Sequence, residues 1–232
     1  MVFAAVLLGA ITLVVDASKA PTQNVVRTHE TIPVNPGPLT LYYPKWIPGE
    51  HAASGPIQNV ASLVITAGGK RVAWRRDPLH LYAIDLDVPA DTSSIDVDFT
   101  YLGATFGNYS SNRLSTPNIF VIDWNQNLVY PSTGTNDTTE FDPSLVLPDS
   151  SWKYATALYD PKQSGNTVTF GTTPLGRLLD SPLDACVNFR KWDLWTGSGS
   201  FPGTASLNVC ADTPEELDAS DKTIGHFRNL VK

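Results

Sequence analysis

Apolar and polar residues alternate along several short segments of the chain, and turn-forming residues separate these segments. Residues 95–99 (IDVDF) are the clearest case, because alternating apolar and acidic residues are expected of a half-exposed antiparallel strand. Residues 67–70 (AGGK) lie between two such segments and predict a hairpin turn. The other predicted strands are residues 11–15, 39–43, 60–66, 81–88, 118–122 and 167–170.

Short strands that recur at intervals of roughly ten residues predict a β-sandwich. The composition agrees, because 18 prolines and 16 glycines interrupt helices, whereas β-branched and aromatic residues favour strands. We therefore predict an all-β fold, an antiparallel β-sandwich over residues 11–212 with a short C-terminal helix. Thr213 is the predicted N-cap of this helix, because Pro214 follows it and Glu216 stands three residues later.

The charge balance and the apolar N-terminus limit what the protein binds and where it works. The chain has 232 residues and a formal net charge of −7, which removes the usual electrostatic basis for binding nucleic acid. The first apolar run stops at Asp16, short of the roughly 20 residues that a membrane span needs. Residues 1–10 predict an apolar leader. It is either a signal peptide of an exported, periplasmic or extracellular protein, or a clipped leader before the first strand.

The sequence predicts no metal site, no bound cofactor and no catalytic residue in this chain. The four histidines are His29, His51, His80 and His226. None lies four residues from another, so no HExxH zinc helix exists. Cys186 and Cys210, 24 positions apart, match no metal-ligand spacing and are either a disulfide or two core thiols.

Residues 42–51 (YYPKWIPGEH) form the candidate interface loop. Two prolines and a glycine restrict the backbone around Trp46, so the loop is predicted to be rigid. An indole on a rigid loop is costly to leave in water, so Trp46 either caps the core or contacts a neighbouring domain. Glu50 and His51 belong to the same loop, and their setting indicates a solvated pair rather than catalysis.

Several segments together resemble the N-terminal region of the glycyl aminopeptidases, PDZ-containing zinc metallopeptidases of peptidase family sixty-one. The matching segments are residues 43–51, 55–57, 74–77, 123–125, 128–131 and 178–182. Their order and spacing make the resemblance specific, although each segment alone is a weak pattern. The resemblance extends over about residues 11–212.

The resemblance implies that a β-sandwich precedes a zinc-binding catalytic domain and then a PDZ domain. The family's metal ligands are not in this sequence, so zinc is expected in the missing catalytic domain. Residues 213–232 are then a linker helix toward that domain. By analogy with related aminopeptidases, Tyr130 and the turn at residues 130–134 (YPSTG) face the substrate cleft, which takes peptides with an N-terminal glycine or similar small residue.

Three functions stay open on the sequence alone. The first is a non-catalytic N-terminal domain that packs on the catalytic domain and helps to shape the substrate cleft. The second is a stand-alone module that binds peptides or glycans through its tryptophan-bearing loops. The third is a structural domain of an exported assembly.

Overall fold

The structure is a computed structural model that describes residues 9–103, 115–197 and 203–231. Residues 1–8 of the predicted leader lie outside this part of the chain. The strands are β1 Ile11–Asp16, β2 Val25–Pro33, β3 Gly37–Tyr42, β4 Val60–Ala67, β5 Lys70–Arg71, β6 Trp74–Arg76, β7 Ala83–Val88, β8 Ser94–Leu102, β9 Ile119–Ile122, β10 Tyr130–Pro131, β11 Glu140–Val146, β12 Lys153–Thr156, β13 Lys162–Ser164, β14 Thr167–Thr169, β15 Thr173–Pro174, β16 Leu183–Cys186, β17 Asn188–Gly197 and β18 Gly203–Ala211.

The helices of the described ranges are short. The α-helices are α1 Ala20–Gln23, α2 Leu175–Leu179 and α3 Asp221–Leu230. The 3₁₀ turns are Ile57–Asn59, Trp124–Gln126 and Pro214–Leu217. The molecule is therefore all-β, as the sequence predicts.

The largest sheet runs through the middle of the domain in the order β13-β14-β11-β1-β2-β8-β4-β5, and β15 also pairs with β11. Its neighbours are antiparallel except for β1 and β11, which pair in parallel from Ile11–Phe141 to Asp16–Val146. Parallel neighbours need a long crossover connection, and most of the chain lies between these two strands. The sandwich is thus antiparallel with one parallel pair.

Three smaller sheets complete the fold in the described ranges. A four-stranded sheet has the order β10-β3-β7-β6, a three-stranded sheet has the order β12-β16-β9, and β17 and β18 form a two-stranded ribbon. The three multi-stranded sheets contribute their apolar faces to one shared core. Strands β5 and β13 end the largest sheet, and β6 and β10 end the four-stranded sheet.

The alternation predicted for β8 is correct. Val97 is fully buried on the core face of the strand. Asp96 lies on the other face and accepts a hydrogen bond of 2.8 Å from the Thr31 hydroxyl. The turn at residues 67–70 joins β4 to β5 as a hairpin, with Ala67 opposite Lys70.

The C-terminal helix begins later than Thr213. Thr213 does form a capping box with Glu216, but it caps only the 3₁₀ turn Pro214–Leu217. Asp218 is extended, and Ser220 then caps α3 by accepting the backbone N–H of Thr223 at 3.1 Å. Ser220 starts a new helix, so the 3₁₀ turn Pro214–Leu217 and α3 are separate elements.

Candidate functional site

Tyr130 lies on an edge strand of the four-stranded sheet. Strand β10 pairs antiparallel with β3, and this register places Tyr130 directly opposite Tyr42. The two rings meet edge to face, with 6.1 Å between their centroids and 72° between their planes. Burial raises the pKa of the Tyr130 hydroxyl, and Tyr42 raises it further. A tyrosine phenol is already protonated at neutral pH at its ordinary pKa of about 10. It can therefore donate a hydrogen bond.

The turn that follows Tyr130 is fixed by backbone contacts. Ser132 donates its N–H to the carbonyl oxygen of Thr40 at 2.8 Å, and Gly134 donates to that of Pro131 at 2.9 Å. A Cβ at Gly134 would overlap the Thr139 hydroxyl oxygen, so this turn accepts only glycine at that position without rearrangement. The turn holds Pro131, and with it Tyr130, against β3.

The base of the Trp46 loop caps the core. Tyr43 is buried, donates its backbone N–H to the Tyr82 carbonyl at 3.0 Å and donates its hydroxyl to the Gln126 carbonyl at 3.0 Å. Ile47 is buried as well. The capping role that the sequence left open for this loop is therefore filled by Tyr43 and Ile47.

The Trp46 side chain itself points away from the core, with 61% of its surface exposed. The loop around it is closed by Gly55, which donates to the Lys45 carbonyl at 3.1 Å and accepts the Tyr82 hydroxyl at 2.9 Å. A large aromatic ring is thus held outward on an ordered loop. Tyr42, Trp46 and Tyr130 form what we term the aromatic edge.

Carboxylates lie beside the Trp46 loop. Burial raises the pKa of Asp123 to about 6, with further contributions from Asp184 and Glu50. Gln126 donates its side-chain amide to Asp123 at 3.0 Å. Glu50 is half-buried, whereas His51 is exposed. At a pKa near neutrality, Asp123 can accept a proton or release one.

Sequence reasoning missed Asp123 and Asp184 as members of this region, and it placed Tyr42 in the candidate interface loop without its contact to Tyr130. Asp123 and Tyr42 lie within or next to segments that carry the family resemblance, but nothing local marks them as interacting groups. Asp184 pairs with Val121 across β16 and β9, and this contact depends on a pairing between distant segments. Tyr130, Trp46 and Glu50 come from the sequence prediction, and the structure brings Tyr130 next to Tyr42 at the start of the Trp46 loop.

The two cysteines belong to a different part of the fold. Cys186 and Cys210 form a disulfide with 5.7 Å between their Cα atoms. Cys186 ends β16 of the three-stranded sheet, and Cys210 lies in β18 of the ribbon. The disulfide therefore ties the ribbon to the core.

No metal-binding group is found in the part of the chain that the structure describes, because no three His, Cys, Asp or Glu side chains are suitably grouped. Across the same residues, no helix has the length and apolar character to cross a membrane.

Comparison with solved structures shows the same fold in metallopeptidases. An aminopeptidase N family protein from Idiomarina loihiensis matches with a TM-score of 0.68 at 13% identity over 87% of this chain. The M1 zinc metallopeptidase from Deinococcus radiodurans matches with a TM-score of 0.50 at 11% identity over 95%. This chain spans only 32% and 51% of those two proteins, respectively. Comparison with curated proteins finds no match.

The family model described as the peptidase M61 N-terminal domain matches residues 13–186. The match begins in β1 and ends at Cys186, so it includes the three multi-stranded sheets and the aromatic edge. It covers well over half of the chain. The chain therefore belongs to the family of peptidase M61 N-terminal domains.

Proposed function

We propose that this chain is the non-catalytic N-terminal β-domain of a zinc metallopeptidase of the glycyl aminopeptidase type, and that it packs on the catalytic domain through its aromatic edge. The observation that carries the proposal is the exposure of Trp46 on a loop whose base is fixed in the core. Trp46, Glu50 and His51 are then interface residues. A PDZ domain is the further partner that the family resemblance implies.

The energetics favour an interface at Trp46. A tryptophan side chain buries roughly 150–250 Å² in a packed contact, so covering its exposed part is worth about 3 kcal/mol. Because hydrogen bonds from Gly55 and Tyr82 already order the loop, little further conformational entropy is lost on binding.

Tyr130 is proposed to face the substrate cleft and help to shape it. Its phenol carries an O–H donor at neutral pH, so it can donate to a carbonyl oxygen of a peptide bound beside the edge of the sheet. The substrate class, peptides with an N-terminal glycine or similar small residue, comes from the family resemblance.

Zinc belongs in this proposal to the catalytic domain, where it would activate water for peptide hydrolysis. The isolated chain is expected to bind no zinc stoichiometrically and to hydrolyse no glycyl-anilide. Turnover by the purified chain that persists with a chelator would contradict this assignment.

The interface is tested with separately expressed domains of the parent enzyme, starting from the gene region that follows Lys232. An open frame there that encodes HExxH supplies the catalytic partner. Trp46→Ser is expected to weaken association of the two domains at least about tenfold. Tyr159→Ser is the matched control, because Tyr159 is an aromatic residue of similar exposure in the connection between β12 and β13. Equal affinities of the two variants would refute the interface.

The cleft assignment is tested in the full-length enzyme with Tyr130→Ala. We expect a loss of kcat/KM on a glycyl-anilide of about tenfold or more, measured at a temperature at which the variant is fully folded, because Tyr130 also packs on the core. An unchanged kcat/KM would show that Tyr130 does not face the cleft. Absence of a downstream HExxH, together with peptide or glycan binding by the chain alone, would instead favour a stand-alone binding module.

A further inference from the structure

The segment that leads into Tyr130 is buried under the largest sheet. Residues 123–129 connect β9 to β10, and each residue from Trp124 to Val129 is at most 5% exposed. The segment is rich in polar groups, because Asn125, Gln126 and Asn127 follow one another. Buried polar segments need specific hydrogen-bond partners to keep one conformation.

Three side chains from other strands and loops hold the backbone of this segment. Tyr43 donates its hydroxyl to the Gln126 carbonyl at 3.0 Å. Thr28 donates its hydroxyl to the Asn127 carbonyl at 3.4 Å. Glu30 accepts the Val129 backbone N–H on its Oε1 atom at 2.7 Å. The last contact is the shortest, and it acts on the residue directly before Tyr130.

Glu30 occupies an apolar position of the sheet. It is fully buried on the core face of β2, and its neighbours on the paired strands are Leu13 and Val97, both fully buried. Its Oε2 atom has no hydrogen-bond partner among the described residues, and no ion pair in that part of the chain involves it.

The surroundings of Glu30 favour its uncharged form. Burial raises the pKa of Glu30 well above its ordinary value, and the hydrogen bond from Val129 opposes this only in part. The paired strands place apolar side chains beside it. The one titratable side chain of the covering segment is Asp123 at its start, which bonds to Gln126 rather than to Glu30.

We propose that Glu30 is a positioning residue for Tyr130 and acts through the backbone of Val129. Strand β10 is only two residues long, so its pairing with β3 supplies few hydrogen bonds to fix the Tyr130 backbone. The Glu30 carboxyl supplies the missing constraint from the core side. The consequence for substrate binding rests on the proposed role of Tyr130 in the cleft, whereas the positioning itself does not.

The test uses the 232-residue chain labelled for NMR. The readouts are the exchange rate of the Val129 amide, corrected for its intrinsic pH dependence, and the NOE between the Tyr42 and Tyr130 rings. Glu30→Gln keeps an uncharged acceptor at the same reach and is expected to preserve both. Glu30→Asp is one methylene too short and is expected to speed Val129 exchange about tenfold and weaken the NOE. The Val97 amide in β8 is expected to exchange as in the wild type.

Two results would overturn the inference. In the first, Glu30→Asp leaves Val129 exchange and the ring NOE unchanged. In the second, it speeds exchange at Val97 by the same factor, which is the behaviour of an ordinary core residue. If Glu30→Asp does not fold, Glu30→Met replaces it, because it fills the apolar site and removes the acceptor of the Val129 N–H. It must speed Val129 exchange more than Val97 exchange, and equal factors at the two amides refute the inference.

A kinetic measurement separates this inference from the proposed function. In the full-length enzyme, Glu30→Asp is expected to raise KM while kcat stays near the wild-type value, and Glu30→Gln is expected to restore KM. If Glu30→Asp speeds Val129 exchange and weakens the ring NOE but leaves KM unchanged, the cleft role of Tyr130 is refuted and the positioning role of Glu30 is supported.

Discussion

The hydroxyl of Tyr43 donates a hydrogen bond of 3.0 Å to the carbonyl oxygen of Gln126 and so joins the Trp46 loop to the buried segment before Tyr130. Tyr43→Phe removes the donor from this buried carbonyl and is expected to lower the free energy of unfolding by about 1–3 kcal/mol. Urea denaturation measures the change. Tyr42→Phe, at the adjacent and more exposed tyrosine, is the control and is expected to stay within about 0.5 kcal/mol of the wild type. Equal losses in the two variants would contradict the prediction.

The pKa of Asp123 predicts a pH-dependent stability. Its value in the folded state, about 6, lies above the ordinary 3.8, so the folded protein binds this proton more tightly than the unfolded chain does. The contribution is complete below the ordinary pKa and is lost as the pH rises through about 6. Asp123→Asn removes this titration. Between pH 3.8 and about 6, the free energy of unfolding of this variant is expected to fall by up to about 3 kcal/mol less than that of the wild type.

The Asp123 prediction is checked by urea unfolding at a series of pH values. Glu140→Gln, at an exposed carboxyl on β11, is the control and is expected to follow the wild-type curve. Parallel curves for Asp123→Asn and the wild type would show that Asp123 is not the group responsible.

The disulfide predicts a local loss of stability on reduction. It closes a 24-residue separation, which in the chain-entropy model corresponds to about 3–4 kcal/mol. Reduction, or the double substitution of Cys186 and Cys210 by Ala, is expected to speed amide exchange mainly in β17 and β18. A reductant should have no effect on the doubly substituted chain. Uniform loss of protection across the largest sheet would mean that the disulfide supports the whole core instead.

Alanine substitutions at two glycines are predicted to change the stability of the protein in opposite directions. A Cβ at Gly55 would overlap the Pro44 carbonyl oxygen and lie 3.1 Å from Tyr82, so Gly55→Ala is expected to destabilise the Trp46 loop by about 1–3 kcal/mol. Gly225 lies within α3 with open space around it, and Gly225→Ala is expected to stabilise by about 0.5–1 kcal/mol. Thermal unfolding of both variants checks the signs, and a neutral Gly55→Ala would show that the loop can shift at no cost.

The alternation pattern locates strands such as β8, but it misses β2, β11, β17 and β18, and it does not identify the long-range partner of any strand. The alternation in β8 follows from burial of one face of the strand, which leaves a direct record in the order of residues. The parallel pairing of β1 with β11 and the contact between Tyr42 and Tyr130 produce no local sequence pattern, because they join segments far apart in the chain. The start of α3 could not be predicted either, because Thr213 and Ser220 are both suitable N-cap residues. The structure shows that Thr213 caps the 3₁₀ turn and that Ser220 caps α3.

Glu30 shows a different limit of sequence reasoning. It shares the alternating face of β2 with Val26 and Ile32, so the period alone assigns it to the core. Polar character argues against that position, since an acidic residue is rarely buried without a partner. Only the backbone N–H of Val129, which the tertiary fold supplies, resolves the conflict.

The ends of the two larger sheets have a consequence for association. Three of these ends carry cationic residues, at Lys70 and Arg71 in β5, Arg75 and Arg76 in β6, and Lys162 in β13, and such residues deter foreign strands from adding to an open edge. The fourth end, β10, has none. Self-aggregation by strand addition is thus opposed at three boundaries. At the end formed by β10, which bears Tyr130, no cationic residue of the strand opposes the approach of another protein.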